Sequence, residues 1–160
     1  MGDRGDAVHM RLLAVPAAAS LVRERMRGWL GALGWAEADL DDVVLAVHEA
    51  VTNSIEHGYA GCEPGEVEVV GTRTVDGGVQ RARFTVRDEG RWRPPRDPGF
   101  RGRGITVMRG CMAEVTIRPG EGGTEVELLS RPVPAHRSRT SAPMSVPAPE
   151  VRSAVQRYEP

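Results

Sequence analysis

Apolar residues recur along the first part of the chain with two different periods. Val8 to Val15 reads as a strand, and Pro16 then opens a helix whose stripe of Val22, Met26, Trp29 and Leu33 runs until Gly34 stops it. After Ala36-Glu-Ala-Asp39 the helical spacing returns, with Val44, Val47, Val51 and Ile55 on one side. Beyond the glycines at 58, 61 and 65 the pattern changes to strands, Glu66 to Val75 and Val79 to Arg87, joined at Asp76-Gly-Gly78, a strong hairpin signal. A short helix from about Ile105 and two strands, Ala113 to Arg118 and Thr124 to Ser130, complete the set. Elements in this order predict an α+β fold, a two-layer α/β sandwich in which one mixed, mostly antiparallel sheet carries helices on one face. No internal repeat is visible. From Arg131 the prolines at 132, 134, 143, 147, 149 and 160 break up Ser, Ala and Arg residues without any period, which divides the chain into a domain over 8–130 and a Pro-rich, disordered tail over 131–160.

The second helix also carries polar residues in register. Glu49, Asn53 and His57 recur every four residues and lie about opposite its apolar stripe. A carboxylate one turn from a carboxamide suits a proton acceptor beside an oxygen ligand for a hard cation such as Mg²⁺, although any solvated helix face shows the same spacing. Three further elements follow. In Val86-Arg-Asp-Glu-Gly90 a strand stops at Asp88, a carboxylate suited to accept a hydrogen bond from an exocyclic amine, and Gly90 permits a sharp turn; an ordinary turn has the same composition. Gly99-Phe-Arg-Gly-Arg-Gly104 leads into Ile105-Thr-Val-Met108, offering a phosphate the free N–H groups of a helix start, as a flexible linker also would. Gly120-Glu-Gly-Gly-Thr124 reads as a hairpin turn with Thr124 at its mouth.

Taken in order, these motifs resemble the anti-sigma-factor serine/threonine protein kinases, members of the Bergerat-type, histidine-kinase-like ATPases. Glu49-Ala-Val-Thr-Asn53-Ser-Ile-Glu-His57-Gly58-Tyr59 is similar to that family's N box, Asp88-Glu-Gly90 to its adenine box, Gly102-Arg-Gly104 to its phosphate lid, and Gly123-Thr124 to its closing Gly-Thr. The resemblance implies ATP and Mg²⁺ as cofactors and makes Glu49 the general base that activates a protein serine. It makes Asn53 the Mg²⁺ ligand and places His57 with it in the nucleotide-binding set. It assigns adenine to Asp88 and Gly90, support of Asp88 to Thr124, and the β- and γ-phosphates to the backbone at Gly102 and Gly104. Arg23 is similar in placement to an arginine that such kinases bring to the γ-phosphate, and Arg25 and Arg27 stand beside it. The implied partners are a sigma factor and an anti-sigma-factor antagonist, and the implied assembly is a homodimer. A non-catalytic ATP-binding module that only binds a partner would use the same motifs. The chain departs from the family after Gly90, where Arg91-Trp-Arg-Pro-Pro95 replaces a glycine-rich continuation, and in the short lid up to Gly102.

Composition narrows the chemistry. All 21 basic residues are arginine, so the lysine of a P-loop and the strand lysine of an ordinary protein kinase are both excluded. Metal, backbone N–H groups and arginine must then balance phosphate charge. A net charge of -1 gives no field favouring nucleic acid or an anionic membrane. No apolar run approaches the roughly 20 residues of a membrane span, and the first residues lack a signal peptide's apolar core, so the expected location is the cytoplasm. Cys62 and Cys111 lack metal-site or disulfide-framework spacing and are expected to be plain thiols.

Overall fold

The first helix starts and stops where the chain supplies the chemistry. The structure, a computed structural model, describes residues 5–59, 61, 63–90 and 103–135. After strand β1 (Ala7–Leu13), helix α1 (Pro16–Ala32) places Pro16 in its first turn, where a backbone N–H would have no partner. Gly34 adopts a φ of 77°, a left-handed conformation that turns the chain into α2 (Glu37–Asn53), whose first turn carries Glu37 and Asp39 beside the positive end of the helix. β2 (Glu66–Asp76) and β3 (Val79–Asp88) are joined by Gly77 and Gly78, with φ of 56° and 81°. A two-residue loop with both angles positive matches the twist of the strands it connects. Helix α3 (Arg103–Cys111), β4 (Glu114–Gly120), β5 (Gly123–Leu129) and the short β6 (Val133–Pro134) follow.

The strands order as β1-β2-β3-β5-β4, with β6 added against β3. Every pairing among the described residues is antiparallel, which bears out the mostly antiparallel sheet expected from the order of elements and leaves out only its mixed part; no crossover helix joins two parallel neighbours. One face of the sheet is apolar. Val67, Val69, Phe84, Val86, Val126 and Leu128 are buried beneath Val22, Met26 and Leu30 of α1 and Val44, Val47 and Val51 of α2. Trp29 meets Phe84 edge to face, with ring centroids 5.8 Å apart. The opposite face is a solvated array of ion pairs, His9 and Arg11 with Glu68, and Arg87 and Arg118 with Glu125, each contributing little singly.

Two boundaries differ from expectation. Ordered chain continues past 130, because fully buried Gln80 donates its amide to the carbonyls of Leu33 and Pro134, 3.4 and 3.2 Å away, and accepts from Arg73 at 2.7 Å. Val133 is thereby buried in the core, and the expected tail lies outside the described residues only from 136 onward. The other difference is in the second helix. It ends as an α-helix at Asn53 and continues as a π turn, Ser54–Gly58, which is wider per residue.

Candidate functional site

α2 turns its core side inward and leaves Glu49 and Asn53 half-buried on the side that α3 approaches. α3 comes so close that a Cβ on Gly104 would stand 3.0 Å from Glu49 Oε2 and 3.3 Å from both amide atoms of Asn53. Glycine at 104 therefore leaves room between the start of α3 and these two side chains. His57 lies in the π turn that follows α2 and is also half-buried.

The wide turn carries Gly58 to Asp88. A Cβ on Gly58 would lie 3.0 Å from Asp88 Oδ1, and a Cβ on Gly90 would lie 2.2 Å from the Gly58 carbonyl oxygen, so only two glycines permit this approach. From the other side comes Gly123, with a φ of 125° and room for no side chain, since a Cβ there would fall 1.7 Å from the Asp88 carbonyl oxygen. Asp88 is consequently 5% exposed. Its Oδ1 accepts from the backbone N–H of Gly90 at 3.1 Å and of Thr124 at 3.3 Å. Burial pushes its carboxyl above the ordinary range, while the Ser54 hydroxyl and those two N–H groups pull the other way.

Thr124 pairs with Asp88 across β3 and β5, and its own hydroxyl is buried with no hydrogen-bond partner among the described residues. An orphaned hydroxyl beside a buried carboxylate is what a site for a polar ring edge or a fixed water leaves when protein groups alone are counted. The fit to a nucleotide is therefore good at this end, and at the other end the space beside Gly104 is polar and lined by a carboxylate and an amide. Among the described residues no group of three His, Cys, Asp or Glu gathers to hold a metal, so a cation here would depend on Asn53 together with ligands from phosphate and water.

Arg23 is exposed on α1. The ion pair of Arg27 with Asp41 and the contact of His48 with the Ala19 carbonyl set an antiparallel register that puts Arg23 about level with Val44, roughly 7 Å along the axis from Glu49. Among the described residues no hydrogen bond or ion pair joins it to Glu49. Gly102 and the Arg91-Trp-Arg-Pro-Pro95 segment lie outside the described residues, as does Cys62. A groove of about 420 Å³ at the Asp88 end of the sheet is lined by Arg11, Glu68, Arg87, Arg118 and Glu125, whose charges already satisfy one another. Ser54, Gly58 and Gly123 were within the motifs but had no assigned part. The signal available for the two glycines was their position next to a motif residue.

Comparison with known proteins bears on the family and the fold. Residues 12–129 match the family described as the histidine kinase-like ATPase domain. Serine-protein kinase RsbW of Listeria monocytogenes is 35% identical over 69 residues, 43% of this chain and 44% of the relative. The Bacillus subtilis protein of the same name is 29% identical over 69 residues, 43% of each. The matched stretch thus spans less than half the length of these curated relatives. Among solved structures, the RsbU and RsbW domains of Rv1364c from Mycobacterium tuberculosis align with a TM-score of 0.64 at 33% identity, covering 81% of this chain and 33% of that one. These relatives bear out the resemblance to the anti-sigma-factor kinases and the two-layer fold that goes with it. Among the described residues no helix is long and apolar enough to cross a membrane.

Proposed function

The chain belongs to the histidine kinase-like ATPase domain family, and from that premise we propose that it is an ATP-dependent serine kinase that phosphorylates an anti-sigma-factor antagonist and, in its other state, holds a sigma factor. One observation carries the proposal: the glycine at 104 brings the start of α3 against Glu49 and Asn53 with no side chain between them. In this arrangement Glu49 takes the proton of the substrate serine as its oxygen bonds to the γ-phosphorus, and the bond from that phosphorus to the β,γ-bridging oxygen breaks to release ADP. Bound Mg²⁺ would neutralise charge on the β- and γ-phosphates. Asn53 is its protein ligand in this proposal, while His57, Gly102 and Gly104 border the phosphates. Asp88 accepts from the adenine amino group, with Gly90 giving the base room and the Thr124 hydroxyl completing the polar edge. Arg23 belongs to the proposal only as a residue that must swing along α2 to meet the γ-phosphate. A homodimer in the cytoplasm is the expected setting.

Incubation with radiolabelled ATP and a candidate antagonist tests the assignment. Label on the antagonist that disappears with Glu49→Ala, while nucleotide binding persists, is the expected result. Wild-type binding without transfer to any antagonist offered would favour the non-catalytic module, and absence of ATP binding with Mg²⁺ present would overturn the nucleotide site altogether.

A further inference from the structure

Directly after the π turn, the Tyr59 hydroxyl makes two hydrogen bonds to segments distant in sequence. It donates to the Glu66 carbonyl at 2.6 Å, at the first residue of β2, and accepts from the Glu89 N–H at 3.0 Å, immediately after β3. Burial, joined by the carboxylates of Asp88, Glu89 and Glu66 and opposed by the Glu89 hydrogen bond, raises this hydroxyl above its ordinary range, so it keeps the proton it donates.

The ring has a seat made for it. A Cβ on Gly65 would lie 2.4 Å from Tyr59 Cε1 and 2.7 Å from both Cζ and the hydroxyl oxygen. Gly65 does not have a positive φ, so its backbone sets no demand for glycine; the ring sets it.

We propose that Tyr59 is a positioning residue for base recognition, acting through the Asp88–Glu89 peptide; the inference rests on the assignment of Asp88 to adenine. That peptide is gripped from both sides. Its N–H is bound by Tyr59, and its carbonyl is packed against Gly123, where a Cβ would come within 1.7 Å. A planar peptide held at both its N–H and its carbonyl cannot rotate about its long axis, and the Asp88 side chain leaves the backbone at the edge of that plane. Gly90, one residue further on, returns its N–H to Asp88 Oδ1, so the carboxylate is aimed by the same short turn. Tyr59 thus links the end of the catalytic helix to the residue that reads the base.

Calorimetric titration of the full chain with Mg-ATP and with Mg-GTP tests the proposal in two variants. Tyr59→Phe removes the hydroxyl and keeps the ring, and Gly65→Ala displaces the ring and keeps the hydroxyl. Each is expected to weaken ATP about fivefold, the scale of one net hydrogen bond, and GTP less, so the preference for ATP narrows. Exchange of the Glu89 amide with solvent, followed without nucleotide, is expected to speed up in both. A purely structural role for Tyr59 would lower the melting temperature and weaken both nucleotides equally. An unchanged ATP-to-GTP ratio, or unchanged Glu89 exchange, overturns the inference while wild-type ATP binding leaves the site itself standing. Failure of the wild type to bind ATP would remove the site and this inference together.

Discussion

The two ends of the candidate site are built on opposite principles. Around Asp88 the protein is finished: Gly58 approaches its carboxylate, Gly90 packs on Gly58 and Gly123 on the Asp88 carbonyl, two N–H groups bind the carboxylate, and the residue is 5% exposed. Around Glu49 and Asn53 it is open, with half-buried side chains and one glycine opposite. A flat, uncharged base can be met by a preformed cleft, because nothing must be neutralised when it enters. A triphosphate brings its own charge and metal, and a rigid protein wall there would compete with them.

That contrast makes substitutions at the two ends fail differently. The largest effect is expected from Glu49→Ala, which should reduce phosphoryl transfer by about 10²- to 10⁴-fold, the usual range for loss of a general base, with ATP affinity nearly unchanged in calorimetry. Equal loss of transfer and binding would erase the distinction. Gly123→Ala should cost about 3 kcal/mol of stability, since the residue must hold a φ of 125° and has no room for a methyl group, and thermal unfolding would report it. Asp88→Asn comes next. It should weaken ATP by roughly 10- to 100-fold, as expected for a hydrogen bond to a charged group, measured by titration at neutral pH.

The same variant has a pH signature of known sign. The folded chain binds the Asp88 proton more tightly than the unfolded chain, because burial raises the carboxyl above its ordinary value of 3.8. Stability from this group is therefore complete below that value and is lost as pH rises through the folded one. Asp88→Asn should flatten the pH dependence of unfolding in that window and raise stability at neutral pH, while wild-type ATP affinity should fall on acidification through the same folded value. The smallest effect belongs to Gly104→Ala. Its methyl would meet only the ends of two side chains, and alanine favours the helix by up to about 1 kcal/mol, so stability should hold or rise while nucleotide affinity drops.

Much of this was legible in the chain because it depends on local rules. The stripe of Val44, Val47 and Val51, the Asp76-Gly-Gly78 hairpin and the stop at Gly34 follow from periodicity and from left-handed glycines, and each is where its residues predict. What was hidden depends on contacts between distant segments. The apolar pattern runs through Val51 to Ile55 without a break, so nothing local announces that the helix widens at Ser54; the Gly58 to Gly90 approach is a tertiary fact. β6 was hidden because prolines at 132 and 134 look like tail, while the Gln80 amide that donates to the Pro134 carbonyl is 54 residues away. At the site itself, parts for Glu49, Asn53, Asp88 and Thr124 could be proposed from motif order, but none for Tyr59, although it closes the first motif, since its two partners are backbone groups.

The widened segment between Asn53 and Gly58 also ties this domain's chemistry to residue count. A π turn holds about one residue more than the α turn it replaces, so removing one residue there would rewind the segment to an ordinary helix and leave the following chain in nearly the same phase, while removing a second would turn it by about 100° and carry Gly58 off the acidic side chain it now touches. The stretch can therefore give up a single residue and keep its phase, and length differences among related chains are expected to be of one residue there and larger only on either side of it.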